Sequence, residues 1–285
     1  MVQSVQSVQI VTDSNAGITP AMAKEMGIAG VAATYVIFDG KSYRDSVEIQ
    51  ADEFYQRLQA APTLPTTSAP SVGDFEDIYK TLKGQEVVSL HISRQLSGTI
   101  QAAETAAQML EGDPKVNFVD TRFVNAGQAL LVVEALKLAK AGKSGAEIKT
   151  HIEGLIPRLR MHIVLETLEN LKRGGRISNT SAFIGNLLQM KPILTIKDGK
   201  VEPLERVRTA SKAIARLKEI LQQDLAGQDN PRVMMLHANA GAAVAQLTSD
   251  IKQLLNLNYT PLAVEAGPAV GTHAGPGALG IAYII

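Results

Sequence analysis

No cysteine occurs in the 285 residues, which removes disulfides, zinc–thiolate sites and cysteine nucleophiles together. Excess charge of either sign is also missing: 28 basic residues face 28 acidic ones, so nothing points to nucleic acid as a partner. No apolar run reaches the ~18 residues of a membrane span, which leaves at most transient surface contact with a membrane. Met1 to Val8 has neither the basic nor the apolar region of a signal peptide, and a cytoplasmic location is expected. Catalytic signatures are missing as well. No H-E-x-x-H occurs, and His91, His151, His162 and His237 are not spaced as metal ligands, so no metal and no cofactor are expected. Gly142-Lys143-Ser144 resembles the end of a P-loop, but the first glycine of that motif would fall on Lys137. No G-x-S-x-G surrounds Ser97.

What is present is an apolar fraction of 45%, enough for a sizeable core in one large or two ordinary domains. Gln9 to Asp13 reads as a strand, and Thr19 before Pro20 as a capped helix start that stops at Gly27. Ala29 to Phe38 reads as one strand closed by Asp39-Gly40. Ser71 with Asp74 opens a helix, Glu86 to Ile92 is a strand, and a helix runs from Thr99 through Met109. Val116 to Val119 and a helix from about Ala126 to Ala141 follow. This alternation predicts a parallel, Rossmann-like sheet over residues 1–155. Residues 156–285 read as a second α/β domain with a mixed sheet, because Lys197-Asp198-Gly199 joins two strands in a DG hairpin.

Three segments carry polar chemistry. Val270 to Gly277 sets His273 among glycines and a proline, and reads as a tight loop leading into the buried strand Ala278 to Ile285. Ser97-Gly98-Thr99 lies between a strand and a helix, where free N–H groups and the helix dipole favour an anion; taken alone, the motif reads more simply as plain N-capping. Thr66-Thr67-Ser68-Ala69-Pro70-Ser71 is a donor-rich loop at another helix start. Asp13 and Ser14 share the same rim on this reading, since ligands of open parallel sheets gather at strand-to-helix loops. A Ser97–His273–Asp13 hydrolase acting on an acyl substrate stays open as an alternative. Arg173-Gly174-Gly175-Arg176 concentrates charge on a loop suited to an acidic or phosphate-bearing partner, and Arg206 and Arg208 extend it. Phe183, Ile184, Leu187, Leu188 and Met190 are candidate linings of an apolar interior.

Six ordered segments resemble the bacterial DegV family: Val11-Thr12-Asp13-Ser14, Pro65 to Ser71, Leu96-Ser97-Gly98-Thr99, Leu171 to Ser178, Lys191-Pro192-Ile193-Leu194, and Gly271 to Gly277. The resemblance implies a two-domain α/β protein that holds one long-chain fatty acid in an internal tunnel. Its carboxylate would lie at the domain interface, against Thr67, Ser97 and His273. Ser68, Gly98 and Arg94 would form the surrounding rim. The last segment would return to that interface. Such a protein has no chemistry of its own and presents the carboxylate to an ATP-binding fatty acid kinase subunit, with Arg173, Arg176 and Arg208 as docking residues. One departure is Ser93-Arg94-Gln95, where the family usually has small residues before L-S-G-T.

Overall fold

The computed structural model describes residues 8–177 and 190–285. Chain order begins with β1 (Gln9–Asp13), α1 (Pro20–Met26), β2 (Gly30–Ala32), β3 (Tyr35–Phe38), β4 (Lys41–Arg44) and α2 (Ala51–Ala60). It continues with β5 (Thr66–Ser68), α3 (Val72–Lys80), β6 (Glu86–His91), α4 (Thr99–Met109), β7 (Lys115–Asp120) and α5 (Ala126–Lys140). Next come α6 (Gly145–Leu155), β8 (Leu159–Val164), α7 (Glu169–Arg173), β9 (Lys191–Lys197), β10 (Lys200–Val207) and α8 (Ala210–Asp224). The remainder is β11 (Val233–His237), α9 (Gly241–Leu254), β12 (Ala263–Glu265), α10 (Pro268–Ala274) and β13 (Leu279–Ile284).

The fold is α/β, with a parallel sheet in the order β2-β1-β6-β7 and a mixed sheet in the order β10-β9-β8-β13-β11-β12. Local signals account for many boundaries. The Thr19 side chain caps α1 with Pro20 in its first turn, and Ser71 and Asp74 form a capping box on α3. Asp198 and Gly199 both take positive φ, which matches the twist of the β9–β10 hairpin.

Two expectations change. Ala29 to Phe38 is not one strand: β2 joins the parallel sheet, while β3 pairs with β4 and β5 in a separate antiparallel sheet. The break falls at Thr34, whose N–H leaves both ladders and donates to Ser14 Oγ at 3.1 Å. The segment around His273 is not an irregular loop either; residues 268–274 form α10. That helix packs against α2, α7, β3 and β5, with Gly271 so close to Tyr55 that a Cβ would lie 2.5 Å from its hydroxyl.

Helix α5 joins the two large sheets. It touches β1 and β6 on one side and β8, β11 and β13 on the other. Its sequence shows little amphipathic period, as expected of a helix buried all round: Ala129, Leu130, Leu131, Val132 and Ala135 are all inside. Gln128 donates from Nε2 to Thr12 and Asp13, and Glu134 pairs with Lys137 and Arg232. Leu131→Ala is therefore expected to cost about 2–5 kcal/mol. Urea unfolding followed by circular dichroism and by tyrosine emission should remain a single coincident transition, because both sheets lose the same support.

Candidate functional site

The carboxyl ends of β1, β6 and β7 and the short strand β5 converge on a cavity between the two large sheets. Its wall from the second half is apolar: Met161, Ile163, Leu165, Leu171, Leu194 and Leu236. Polar groups cluster where Thr67, Ser68, Ser97, Gly98, Arg176 and His273 line it. An apolar space with one convergent polar region is the usual form of a small-molecule site.

Thr67 Oγ1 and His273 Nε2 share a hydrogen bond of 3.0 Å across 206 residues of sequence. The other ring nitrogen, Nδ1, is buried without a partner among the described residues. It presses on Gly174, where a Cβ would lie 2.1 Å away, so the ring can sit there only because that position lacks a side chain. Burial, with the nearby Arg176 charge adding to it, pushes the His273 pKa down to about 4, so the ring is neutral at pH 7. Ser97 Oγ lies 2.8 Å from Thr99 Oγ1, and no side chain caps α4 at Gly98. The first N–H groups of α4 are thus left uncapped beside the cavity. Arg176 donates from Nη1 to Gly174 O at 2.6 Å and from Nε to Leu96 O at 3.5 Å. It forms no ion pair with a carboxylate among the described residues. A residue read as a docking group therefore lines the cavity.

Other expected residues sit elsewhere. Arg94 is held by Glu104 at 3.0 Å and Asp120 at 3.2 Å, in a separate groove with Arg160 and Asp198. Two carboxylates outside the cavity claim its charge, so it does not belong to the head-group rim. Asp13 is fully buried and accepts from His91 Nδ1, the Ile92 N–H and Gln128 Nε2. Ser14 is buried too, bonded to Asp45 and to the Thr34 N–H. Neither lies on an open rim. The hydrolase relay is not assembled in this structure: Ser97 pairs with Thr99, His273 with Thr67 and Asp13 with His91. Arg173 is exposed and paired with Glu169, and Arg208 is exposed after β10. Phe183, Ile184, Leu187 and Leu188 lie outside the described residues, and Met190, half-buried, is not among those lining the cavity. No group of three or more His, Asp or Glu among the described residues could hold a metal, and none of their helices is long and apolar enough to cross a membrane.

Sequence reasoning missed three groups. Asn125 lines the cavity at φ 50°, ψ −123°, with its amide nitrogen donating to Glu265 O at 3.3 Å and its oxygen unpaired among the described residues. Its place between a strand and a helix was the available signal, since Asn is enriched at positive φ. Gly174 was visible only as part of a flexible pair. Asp45 had no sequence signal at all. Its buried carboxylate accepts from the Ala269 N–H at 3.1 Å, Ser46 Oγ at 2.8 Å and Ser14 Oγ at 3.3 Å. It thereby ties the start of α10 to the end of β4 and positions His273 indirectly.

A profile described as an uncharacterised protein, DegV family, matches residues 7–285. The chain belongs to the DegV family. A DegV domain-containing protein of Halalkalibacterium halodurans is 36% identical, with 98% of each chain covered. Among solved structures, a DegV family protein from Thermus thermophilus described for fatty acid binding is 35% identical. It superposes with a TM-score of 0.89 over 98% of this chain and 100% of its own. DegV of Bacillus subtilis, described as a fatty acid binding protein, is 30% identical with a TM-score of 0.87, covering 98% and 99%.

Two outcomes are expected from this geometry. Gly174→Ala should displace the His273 ring and break its bond to Thr67, which would appear as a shifted imidazole resonance in NMR and a less protected ring. Burial also raises the Asp45 pKa to about 6, with the Asp13 charge adding to it. The folded protein then holds a proton there that the unfolded chain releases near pH 4, so this group's stabilisation is lost as pH rises from about 4 to 6. Asp45→Asn should be more stable than the parent above pH 6, by up to ~3 kcal/mol, and should lose that advantage near pH 4 in denaturant titrations. His273 acts oppositely: its low pKa withdraws stability as pH falls from 6.5 towards 4.

Proposed function

We propose that this DegV protein binds one long-chain fatty acid, with the chain in the apolar cavity and the carboxylate held by Thr67, Ser97 and Arg176. The single observation that carries the reading is the cavity itself, apolar over most of its wall and polar where those three residues and His273 meet. The related Thermus and Bacillus proteins, described as fatty acid binders, support it.

The chemistry follows from the protonation state. A neutral His273 can donate from Nε2 to Thr67 Oγ1, which orients the threonine O–H to donate to a carboxylate. Arg176 supplies the positive charge that the imidazole lacks. His273 is on this reading a positioning group, with Ser68 and Gly98 on the rim. Residues 1–155 then contribute the head-group loops and residues 156–285 most of the wall around the chain. Helix α10 carries His273 back against β5. Burying about 14 methylenes at ~0.8 kcal/mol each contributes on the order of 11 kcal/mol before ordering costs. A hydrogen bond to a charged group adds only about 1.5–3 kcal/mol. The chain supplies affinity and the polar groups supply orientation.

A bound acid held in this way serves presentation. The protein would offer the carboxylate to an ATP-binding kinase subunit for acyl-phosphate formation, with exposed Arg173 and Arg208 in the docking surface. Organic extraction of purified protein and mass spectrometry should recover one fatty acid per chain. Recovery of none, together with no uptake of added fatty acid by delipidated protein, refutes the proposal. Thr67→Ala combined with Ser97→Ala should loosen the head group, seen as a broadened carboxyl carbon resonance of labelled acid, while lowering affinity only modestly.

A further inference from the structure

The cavity has a second polar position, and it carries no charge. Asn15, Thr34 and Asn125 line it just after β1, ahead of β3 and ahead of α5. All three are more than nine-tenths buried. Asn15 Nδ2 donates to Asp13 Oδ1 and to Thr34 Oγ1, each at 2.8 Å, and no donor among the described residues reaches Asn15 Oδ1. Thr34 Oγ1 accepts that bond, while its own O–H donates to nothing among the described residues. Asn125 is fixed at two points. Its N–H donates to Asn15 O at 2.8 Å, and its Nδ2 donates to Glu265 O, so close to Gly17 that a Cβ there would lie 2.8 Å from the amide nitrogen. Its Oδ1 has no partner among the described residues. The three residues thus hold two unspent acceptors and one unspent donor.

This pattern selects among ligand groups. Amide oxygens without donors, with Asp13 directly behind Asn15, repel a carboxylate, so the head group has no second place here. An ammonium could donate to the amides but has no lone pair for the Thr34 O–H. A neutral hydroxyl does both. Its distance from the head group follows from two elements. Ala269 and His273 both line the cavity and lie four residues apart on α10, about 6 Å along its axis. Asp45 accepts from the Ala269 N–H and from Ser14, the neighbour of Asn15, which sets the uncharged position at the amino end of that helix. On the strand side, β3 pairs Val36 with Thr67, and Thr34 lies two residues earlier, about 7 Å along the chain. A hydroxyl on the third carbon, counting the carboxylate as the first, bridges that separation with a hydrogen bond at each end.

We propose that the cavity selects a fatty acid hydroxylated at its third carbon, with Thr34 donating to that hydroxyl and the amide oxygens of Asn125 and Asn15 accepting from it. The inference rests on the fatty acid reading and names the class of acid. Because the three residues approach the chain from one side, one enantiomer fits.

Calorimetric titration of delipidated protein tests this, with hexadecanoate, each enantiomer of 3-hydroxyhexadecanoate, and 16-hydroxyhexadecanoate, each below its micelle concentration. One 3-hydroxy enantiomer should bind about fivefold or more tighter than hexadecanoate, and 16-hydroxyhexadecanoate should gain nothing. Thr34→Val and Asn125→Gly should each reduce that ratio to within about twofold of unity, while Thr34→Ser, which keeps the hydroxyl, should preserve it. Glycine suits position 125 because it adopts the φ of 50° found there without strain. The proposal is overturned if neither enantiomer binds more tightly than hexadecanoate, or if the preference survives Thr34→Val or Asn125→Gly. An equal gain for 16-hydroxyhexadecanoate also overturns it, since the position of the hydroxyl then plays no part. If none of the acids binds, the fatty acid reading falls, and this one with it.

Discussion

Burial of α5 between two sheets is the constraint on which the rest of the structure depends. A helix touched by strands on both sides cannot present a solvated face, so it must be apolar around its circumference and satisfy each polar side chain locally. Gln128 and Glu134 reach into opposite halves of the molecule, Gln128 Nε2 donating to Asp13 on β1 and Glu134 pairing with Arg232 before β11. The separation of the two sheets is thereby set by one helix diameter. Beyond the amino end of α5, where Asn125 sits, that separation is not filled by helix, and the cavity occupies the space.

The polar groups around that space fall into two kinds. Asp13, His91, Ser89 and Tyr79 form a continuous chain of hydrogen bonds in which each side chain has a partner. Such a cluster is structural, because its bonding capacity is spent. The set around His273 is different: among the described residues, Nδ1 of the ring and Oδ1 of Asn125 have no partner and Arg176 meets no carboxylate. Unspent capacity next to an apolar cavity is the feature on which the proposed head-group position rests.

How much of this was legible depended on how local the cause was. Caps at Thr19 and Ser71, the Asp198-Gly199 turn and the parallel order of β1, β6 and β7 follow from neighbours in sequence, and were readable. The change of sheet at Thr34 was not, because an apolar run looks the same whether it serves one sheet or two. Helix α10 was hidden by Gly271 within it and by Gly267 and Gly275 at its ends. Gly271 is needed for close packing on Tyr55, a tertiary demand that overrides poor helix propensity. Arg94 and Arg176 exchanged roles for the same reason. Glu104 and Asp120 lie 10 and 26 residues from Arg94, and the Leu96 carbonyl lies 80 from Arg176, distances at which sequence pattern carries no information. Thr67 and Ser97, which line the cavity, were singled out through the resemblance of their motifs; their separate surroundings alone favoured ordinary loops and caps.

The order of strands in the mixed sheet has a consequence for synthesis. β13 sits between β8 and β11, yet it is made after both. Until it leaves the ribosome, each of those strands has an open inner edge, and the sheet cannot close. The parallel sheet has no such dependence, since all four of its strands precede α5. His273 comes just ahead of β13, so the bond between Thr67 and His273 and the joining of β8 to β11 both wait for the same late stretch of chain.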